Sequence, residues 1–180
     1  MKELIFVRHW ESFANLEGKY WWHSMVELTK KGKEQAENIS KLLMDKNIFK
    51  IICSDLRRAE QTAEIINKKL NLEIEYWENL READCWEFTW KNKIEWFSIM
   101  EIAFQSIKWE KEEDIIKRAN KTINLFKNIK LEWNILIVWH NSFTATIFYI
   151  LEKQNKNMSL IEYRKQWNMK NWEAKKYILK

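Results

Sequence analysis

The chain has 180 residues, of which 46% are hydrophobic and 32% charged, and its formal net charge is +5 at pH 7. This length suits one domain with a substantial core and is short for two, so we expect a single domain over residues 1–180. The longest apolar runs, Leu4 to Val7 and Ile135 to Trp139, fall far below the roughly 20 residues of a membrane-spanning helix. A cytoplasmic protein without an N-terminal leader and without a membrane partner is expected.

The charge and the cysteines exclude two further classes of protein. The lysines are spread along helix faces, which predicts a solvated surface that also attracts anionic substrates. Basic and aromatic residues do not form a nucleic-acid-binding module, so no nucleic-acid partner is expected. Cys53 and Cys85 lack the spacing of a metal site or a disulfide framework. Reduced thiols are expected rather than a disulfide.

The first half of the chain alternates strand patterns with helix patterns. Leu4 to Val7 is a continuous apolar run, typical of a strand buried on both faces. Thr29 is a favourable N-cap for a following helix. Ile48 to Cys53 predicts a second strand, Leu72 to Tyr76 predicts a third, and we expect Ser54 to open the helix between them. The apolar face of that helix is predicted to contain Ala59, Thr62, Ala63 and Ile66.

The second half continues this alternation and ends in a different pattern. We expect a loop over residues 77–92, a helix over 93–108, and a clearer helix over about 111–128. The inward face of the clearer helix is predicted to contain Ile116, Ala119, Ile123 and Phe126. A buried strand over Ile135 to Val138 and a helix from Asn141 to Leu151 follow. The segments Leu160 to Lys165 and Ala174 to Leu179 predict a C-terminal hairpin.

Strands that alternate with helices predict a three-layer α/β/α sandwich with a mostly parallel sheet. In such folds the ligand binds at the carboxyl ends of the strands. Arg8 and His9 follow the first strand, His140 follows the strand over 135–138, and Arg58 lies one turn into the helix after the second strand. Guanidinium groups match phosphate oxygens in pairs, and a neutral histidine can attack phosphorus. This edge of the sheet is therefore predicted to bind a phosphoryl group.

Five blocks of sequence extend this pattern over residues 4–148. They are Val7-Arg8-His9-Trp10-Glu11-Ser12-Phe13-Ala14-Asn15, the stretch from Gly18 through His23 and Leu28-Thr29 to Ala36, Ser54-Asp-Leu-Arg-Arg58-Ala-Glu-Gln61-Thr62-Ala63, Leu80-Arg-Glu82 to Trp90, and Ile137-Val-Trp139-His140. Their order and content resemble the histidine phosphatase superfamily, also called phosphoglycerate-mutase-like.

The resemblance implies a role for each site residue. His9 would be the nucleophile that accepts the phosphoryl group. Glu82 would be the general acid that protonates the leaving alkoxide. The phosphoryl oxygens would be bound by Arg8, Arg58 and His140, with Asn15 as a further donor. Because the arginines supply positive charge, no metal or other cofactor is implied.

Three more residues of these blocks are assigned supporting places. Glu11 and Gln61 are expected to hold the site in position. His23 matches a Gly-His pair of some small phosphatases of the superfamily, and we expect it at the pocket rim rather than in the chemistry.

The resemblance implies a phosphomonoesterase that hydrolyses a small phosphorylated metabolite through phosphohistidine. The segment from Gly18 to His23 is most similar to alpha-ribazole phosphatases. A phosphoglycerate mutase is one alternative, but mutases of this kind are usually longer, so the short chain favours hydrolysis. A catalytically impaired phosphate- or protein-binding domain is the other alternative. The oligomeric state is left open.

Tryptophan and glycine have an unusual distribution. The chain has 12 Trp and 2 Gly, whereas the average glycine usage of about 7% would give roughly 13 Gly. Trp10, Trp86, Trp90 and Trp139 stand where the motifs of the superfamily have Gly. They are either genuine aromatic residues or Gly decoded as Trp, since the codon UGA means Gly in some genetic codes and Trp in others. Genuine indoles at Trp10 and Trp139 are expected to crowd the phosphate site and so favour the impaired domain.

Overall fold

A five-stranded, mostly parallel sheet forms the centre of the protein. The structure, a computed structural model, describes residues 3–18, 23–84, 110–129, 133–152, 158–167 and 174–178. The strands are β1 (Glu3–Arg8), β2 (Ile48–Cys53), β3 (Ile74–Tyr76), β4 (Asn134–Trp139) and β5 (Ala174–Ile178), in the spatial order β3-β2-β4-β1-β5. The pairs β1–β4, β2–β4 and β2–β3 are parallel, and β5 pairs antiparallel with β1.

Helices cover both faces of this sheet. In the described part of the chain they are α1 (Phe13–Leu16), α2 (Lys30–Leu43), α3 (Arg57–Leu70), α4 (Glu112–Asn128), α5 (Asn141–Glu152) and α6 (Leu160–Gln166), with 3₁₀ turns at Met44–Lys46 and Glu78–Leu80. None of the described helices is long and apolar enough to cross a membrane.

Two hydrophobic cores lie on opposite faces of the sheet. One contains residues of α4, α5 and α6 packed on alternate residues of the central strands, such as Phe6 and Ile137. The other contains residues of α2 and α3 packed on the intervening residues, such as Val7 and Val138. Because successive side chains of a strand point to opposite faces, apolar strands that are continuous in sequence serve both cores. The predicted three-layer sandwich is confirmed.

Helix α2 begins after the N-cap residue that the sequence predicts, whereas α3 does not. The Thr29 hydroxyl accepts a hydrogen bond from the backbone N–H of Gly32, so it caps α2 as expected. The expectation that Ser54 opens α3 is wrong, since α3 begins at Arg57. The Ser54 hydroxyl instead lies 2.8 Å from Nε2 of His140. The predicted inward residues of α3, Ala59, Thr62, Ala63 and Ile66, are buried.

The predicted C-terminal hairpin is wrong in its first half. Residues Leu160–Gln166 form helix α6, and β5 pairs with β1 rather than with that segment. Ser159 caps α6 through a capping box with Glu162, a helix-start signal that outweighs the apparent strand alternation. In α4, Ile115 is buried and the predicted Ile116 is only partly so.

Several expectations fall on residues that the structure does not describe. They are the helix over 93–108, the part of the loop over 85–92, Cys85, Trp86 and Trp90. Cys53, which is described, is a free and fully buried thiol, and burial raises its pKa well above the ordinary value.

Candidate active site

The ends of three neighbouring strands bring the predicted site together. The backbone N–H of His9, after β1, donates to the carbonyl of Trp139 at the end of β4 at 2.9 Å. The N–H of Ser54, after β2, donates to the carbonyl of Val138, also at 2.9 Å. These bonds continue the sheet past its last paired residues. The His9 and His140 rings consequently lie with their centroids 5.1 Å apart.

The His9 ring is fixed in one tautomer. Its Nδ1 lies 2.9 Å from the backbone carbonyl of Trp10. A carbonyl oxygen only accepts, so Nδ1 carries the proton and Nε2 keeps its lone pair. Nε of Arg58 donates to that Nε2 at 3.3 Å. The ring is buried, with 5% of its surface exposed, and it presents one basic nitrogen beside a cation.

Arg8 and Arg58 supply the positive charge. Burial lowers the pKa of Arg58 to about 10, while the neighbouring Glu82 carboxylate opposes that shift and Arg8 adds to it. Burial also lowers the pKa of Arg8, again against the effect of Glu82. Both side chains therefore remain protonated at neutral pH. Arg58 is further held by the carbonyl of Ser24, which accepts from Nη1 at 3.2 Å.

His140 is a fully buried, neutral histidine. Burial lowers its pKa well below the ordinary value, and the charges of Arg58, His9, His23 and Arg8 lower it further. Its Nε2 lies 2.8 Å from the Ser54 hydroxyl. Its Nδ1 is buried and has no hydrogen-bond partner among the described residues. A buried polar atom without a partner is costly, so Nδ1 is a group that a phosphoryl oxygen or its proton can satisfy.

The Glu82 carboxylate is seated on the N-terminus of α5. Its Oε1 accepts from the backbone N–H groups of Phe143 at 2.8 Å and Ala83 at 3.0 Å, and its Oε2 accepts from that of Ser142 at 3.1 Å. Free N–H groups at a helix N-terminus favour an anion. Because α5 begins directly after His140, this arrangement places the carboxylate beside the two histidines and within the electrostatic reach of both arginines.

Asn15 and His23 are both partly buried. The Asn15 amide oxygen accepts from the backbone N–H and the hydroxyl of Ser12, so its nitrogen is the group available to donate to a substrate. His23 Nε2 donates to the carbonyl of Glu82 at 2.7 Å, and its Nδ1 lies 3.6 Å from a carboxylate oxygen of Asp84. His23 therefore contacts the backbone of the segment that carries Glu82.

The loop after His9 is hydrogen-bonded to the N-terminal half of α2 and its N-cap. The carbonyl of Glu11 accepts from the N–H of Thr29 at 3.0 Å, and the N–H of Glu11 donates to the Gln35 side chain. Gly32 permits this close approach, because a Cβ there would lie 2.0 Å from the Glu11 carbonyl oxygen. Gln61 accepts from the N–H of Leu28 at 2.7 Å. Both Glu11 and Gln61 thus contact the backbone that frames the pocket.

The two indoles next to the histidines do not crowd the site as expected. Trp139 packs in the core beneath α4 and α5 and stacks on Phe6 at 4.7 Å between ring centroids. Trp10 packs in the opposite core. Both rings therefore pack in the cores on either face of the sheet. Their Nε1 groups are buried and lack hydrogen-bond partners among the described residues.

Two parts of the site were missed by sequence reasoning. One is the Ser54 hydroxyl on His140, and the other is the docking of Glu82 on the first amides of α5. Ser54 stands within one of the five sequence blocks, where its residue type predicts a helix start. Within the described ranges, no group of three or more His, Cys, Asp or Glu side chains could hold a metal ion.

The chain is similar to known proteins in sequence and in fold. The sequence profile of the histidine phosphatase superfamily (branch 1) matches residues 4–168. An adenosylcobalamin/alpha-ribazole phosphatase of Escherichia coli is 27% identical over 148 residues, which are 76% of this chain and 72% of that protein. A probable phosphoglycerate mutase of Salmonella choleraesuis is 37% identical over 84 residues, which are 47% of this chain and 39% of that protein. The crystal structure of the alpha-ribazole phosphatase of Shigella flexneri superposes with a TM-score of 0.82 at 24% identity and covers 97% of this chain and 89% of that one.

Proposed function

The chain belongs to the histidine phosphatase superfamily (branch 1), and from this premise we propose that it hydrolyses a small phosphomonoester through a phosphohistidine at His9. The observation that carries the proposal is the tautomer of His9. Its Nδ1–H is engaged by the Trp10 carbonyl, so the Nε2 lone pair faces the cationic end of the site beside Arg58. A nucleophile, its orienting group and the positive charge that binds phosphate are thus brought together by side chains and backbone of the chain itself.

In the first step, Nε2 of His9 attacks phosphorus and the P–O bond to the leaving group breaks. Arg8 and Arg58 hold the phosphoryl oxygens and neutralise the charge that develops on them. His140 offers a neutral ring whose centroid lies 5.1 Å from that of His9. The Glu82 carboxyl gives a proton to the departing alkoxide.

In the second step, water attacks the phosphorus of phosphohistidine. Glu82, now a carboxylate, accepts a proton from that water, and the Nε2–P bond breaks. Inorganic phosphate leaves and His9 returns to its starting tautomer, because Nδ1 keeps its proton and donates a hydrogen bond to the Trp10 carbonyl throughout. One carboxyl group therefore acts as acid and then as base, as microscopic reversibility requires.

Hydrolysis is favoured over phosphoryl return to substrate. The alpha-ribazole phosphatase relative aligns over most of both chains, whereas the phosphoglycerate mutase relative aligns over less than half of each. The ester of alpha-ribazole is accordingly the first substrate to test. The mutase alternative predicts phosphate transfer to a second phosphoglycerate rather than release to water. A catalytically impaired domain loses its main support, because Trp10 and Trp139 pack in the cores.

The test is to trap the intermediate. The protein is mixed rapidly with a ³²P-labelled aryl phosphate, quenched in base and digested, and the label is mapped. We expect an alkali-stable, acid-labile label on His9 and steady release of inorganic phosphate. His9→Ala should show neither, while Lys68→Gln, an exposed change in the last turn of α3, should show both. No label and no release from the unmodified chain would refute the proposal.

A further inference from the structure

Arg118, on the second turn of α4, hydrogen-bonds to the backbone of the segment that carries Glu82. Its Nη1 donates to the carbonyls of Asn79 at 2.9 Å and Arg81 at 2.8 Å, and its Nη2 lies 3.5 Å from the carbonyl of Glu82. One guanidinium therefore contacts three carbonyls over a stretch of four residues. Arg118 had no place in the sequence motifs.

The other side of the guanidinium is held by Glu110. Nε and Nη2 of Arg118 each donate to a Glu110 carboxylate oxygen at 2.7 Å. The same Glu110 bonds the backbone of Asp84 in both directions, since its N–H donates to the Asp84 carbonyl at 3.2 Å and its carboxylate accepts from the Asp84 N–H at 3.3 Å. Arg118 and Glu110 together therefore hydrogen-bond to the backbone before Glu82, at Asn79 and Arg81, and after it, at Asp84.

Arg118 also touches the helix that receives the Glu82 carboxylate. Its guanidinium carbon lies 3.9 Å from the centre of the Phe143 ring. The backbone N–H of Phe143 donates to Oε1 of Glu82. One side chain therefore contacts both the backbone of the Glu82 segment and the first turn of α5, which are the two parts that set where the carboxyl lies.

The segment that carries Glu82 depends on side-chain hydrogen bonds for its position, because it has little regular secondary structure. Residues 81–84 follow a 3₁₀ turn and belong to no helix or strand. Their carbonyls would be left without these donors if the guanidinium were removed. A displacement of about 1 Å at a reacting group can cost on the order of 10²-fold in rate. The rate of catalysis should therefore depend on where this segment holds the Glu82 carboxyl.

We propose that Arg118, paired with Glu110, is a positioning residue that holds the general acid Glu82 against the N-terminus of α5. The proposal rests on the proposed function, because it assigns Arg118 an effect on proton donation to the leaving group. It goes further in naming a residue of α4, outside the phosphate-binding cluster, as part of that effect.

The experiment compares leaving groups. Phenyl phosphate needs a proton on its departing oxygen, whereas 2,4-dinitrophenyl phosphate does not. Arg118→Lys keeps the charge but loses the planar fork that spans Glu110 and the carbonyls. We expect kcat/KM for phenyl phosphate, which reports the transfer of the phosphoryl group to His9, to fall on the order of 10- to 100-fold, with a much smaller fall for the dinitrophenyl ester. Glu110→Gln should give the same pattern more weakly and serves if the lysine variant does not fold.

Two comparisons separate positioning from a general structural role. In a Glu82→Gln background, Arg118→Lys should cost less than about twofold, because its effect passes through the group already removed. Arg57→Lys is the matched control, since Arg57 pairs with Glu60 and Glu64 on α3 and should leave both substrates unaffected.

Equal losses with both esters, or a full further loss in the Glu82→Gln background, would overturn the role of Arg118 while leaving the phosphatase proposal intact. Failure of the unmodified protein to hydrolyse either ester or to label His9 would instead overturn the phosphatase proposal itself. The two failures are therefore distinguishable.

Discussion

Replacement of Glu82 by Gln tests the general acid with little change of shape. Glu82 is buried, with 8% of its surface exposed, and its oxygens accept three backbone N–H groups. A Gln oxygen can take the place of Oε1 and accept from Ala83 and Phe143. Its NH₂ group then faces the N–H of Ser142, so one hydrogen bond is lost and two donors oppose each other.

The structural cost of this change is modest and the catalytic cost is large. Loss of one buried hydrogen bond to a charged group lowers the unfolding free energy by about 1–3 kcal/mol. For a chain of this size, each kcal/mol lowers the Tm by about 2–4 °C. The amide cannot donate an acidic proton to the leaving group. Loss of general-acid catalysis lowers kcat for poor leaving groups by about 10²–10⁴-fold, or about 3–5 kcal/mol of transition-state free energy.

The assay measures kcat/KM, which reports the transfer of the phosphoryl group to His9 and not the later hydrolysis of phosphohistidine, for a series of aryl phosphates whose phenols differ in acidity, well below the Tm of the variant. We expect the loss to shrink steadily as the leaving group improves and nearly to vanish for the dinitrophenyl ester. Glu64→Gln is the control, because that carboxylate is exposed on α3 and pairs only with Arg57 among the described contacts. A loss of the same size across the whole series would show that Glu82 does not protonate the leaving group.

Three further outcomes are expected. His140 has a pKa well below its ordinary value of 6.5 in the folded protein, so the unfolded chain takes up this proton at a higher pH than the folded chain does. The unfolding free energy should therefore fall as the pH drops below about 6.5. Urea titrations at several pH values should show that this free energy depends less steeply on pH in His140→Asn. Gly32→Ala places a Cβ 2.0 Å from the Glu11 carbonyl oxygen and should lower the unfolding free energy by about 1–3 kcal/mol, whereas an unchanged urea midpoint would contradict the close approach. Each of Trp10 and Trp139 buries an indole N–H without a partner among the described residues; if these are Gly decoded as Trp, protein from its natural host should be lighter by the Trp–Gly difference at each site, and UGG codons at these positions would exclude the idea.

Local signals in the sequence predict the elements that depend on neighbouring residues. Strand β2 has the predicted bounds, and Thr29 caps α2 as its type suggests. Local signals fail where a distant partner competes for the same group. Ser54 is a good N-cap by type, yet its hydroxyl lies against His140 and α3 begins three residues later. A different failure occurs where two local signals conflict: Leu160 to Lys165 alternates like a strand, but the capping box of Ser159 and Glu162 starts a helix.

The sequence by itself determines which chemical groups reach the site, because parallel strands end at one edge of the sheet and His9, Arg58 and His140 follow such ends. The tertiary structure alone decides how those groups are used. The tautomer of His9, the seat of Glu82 on α5 and the grip of Arg118 depend on hydrogen bonds to atoms whose position no local pattern specifies. Phe143 lies 61 residues beyond the carboxylate it binds, and Arg118 lies 37 residues beyond the Arg81 carbonyl. Hydrogen bonds need alignment to within tenths of an ångström, and only the packing of α4 and α5 on the sheet provides it.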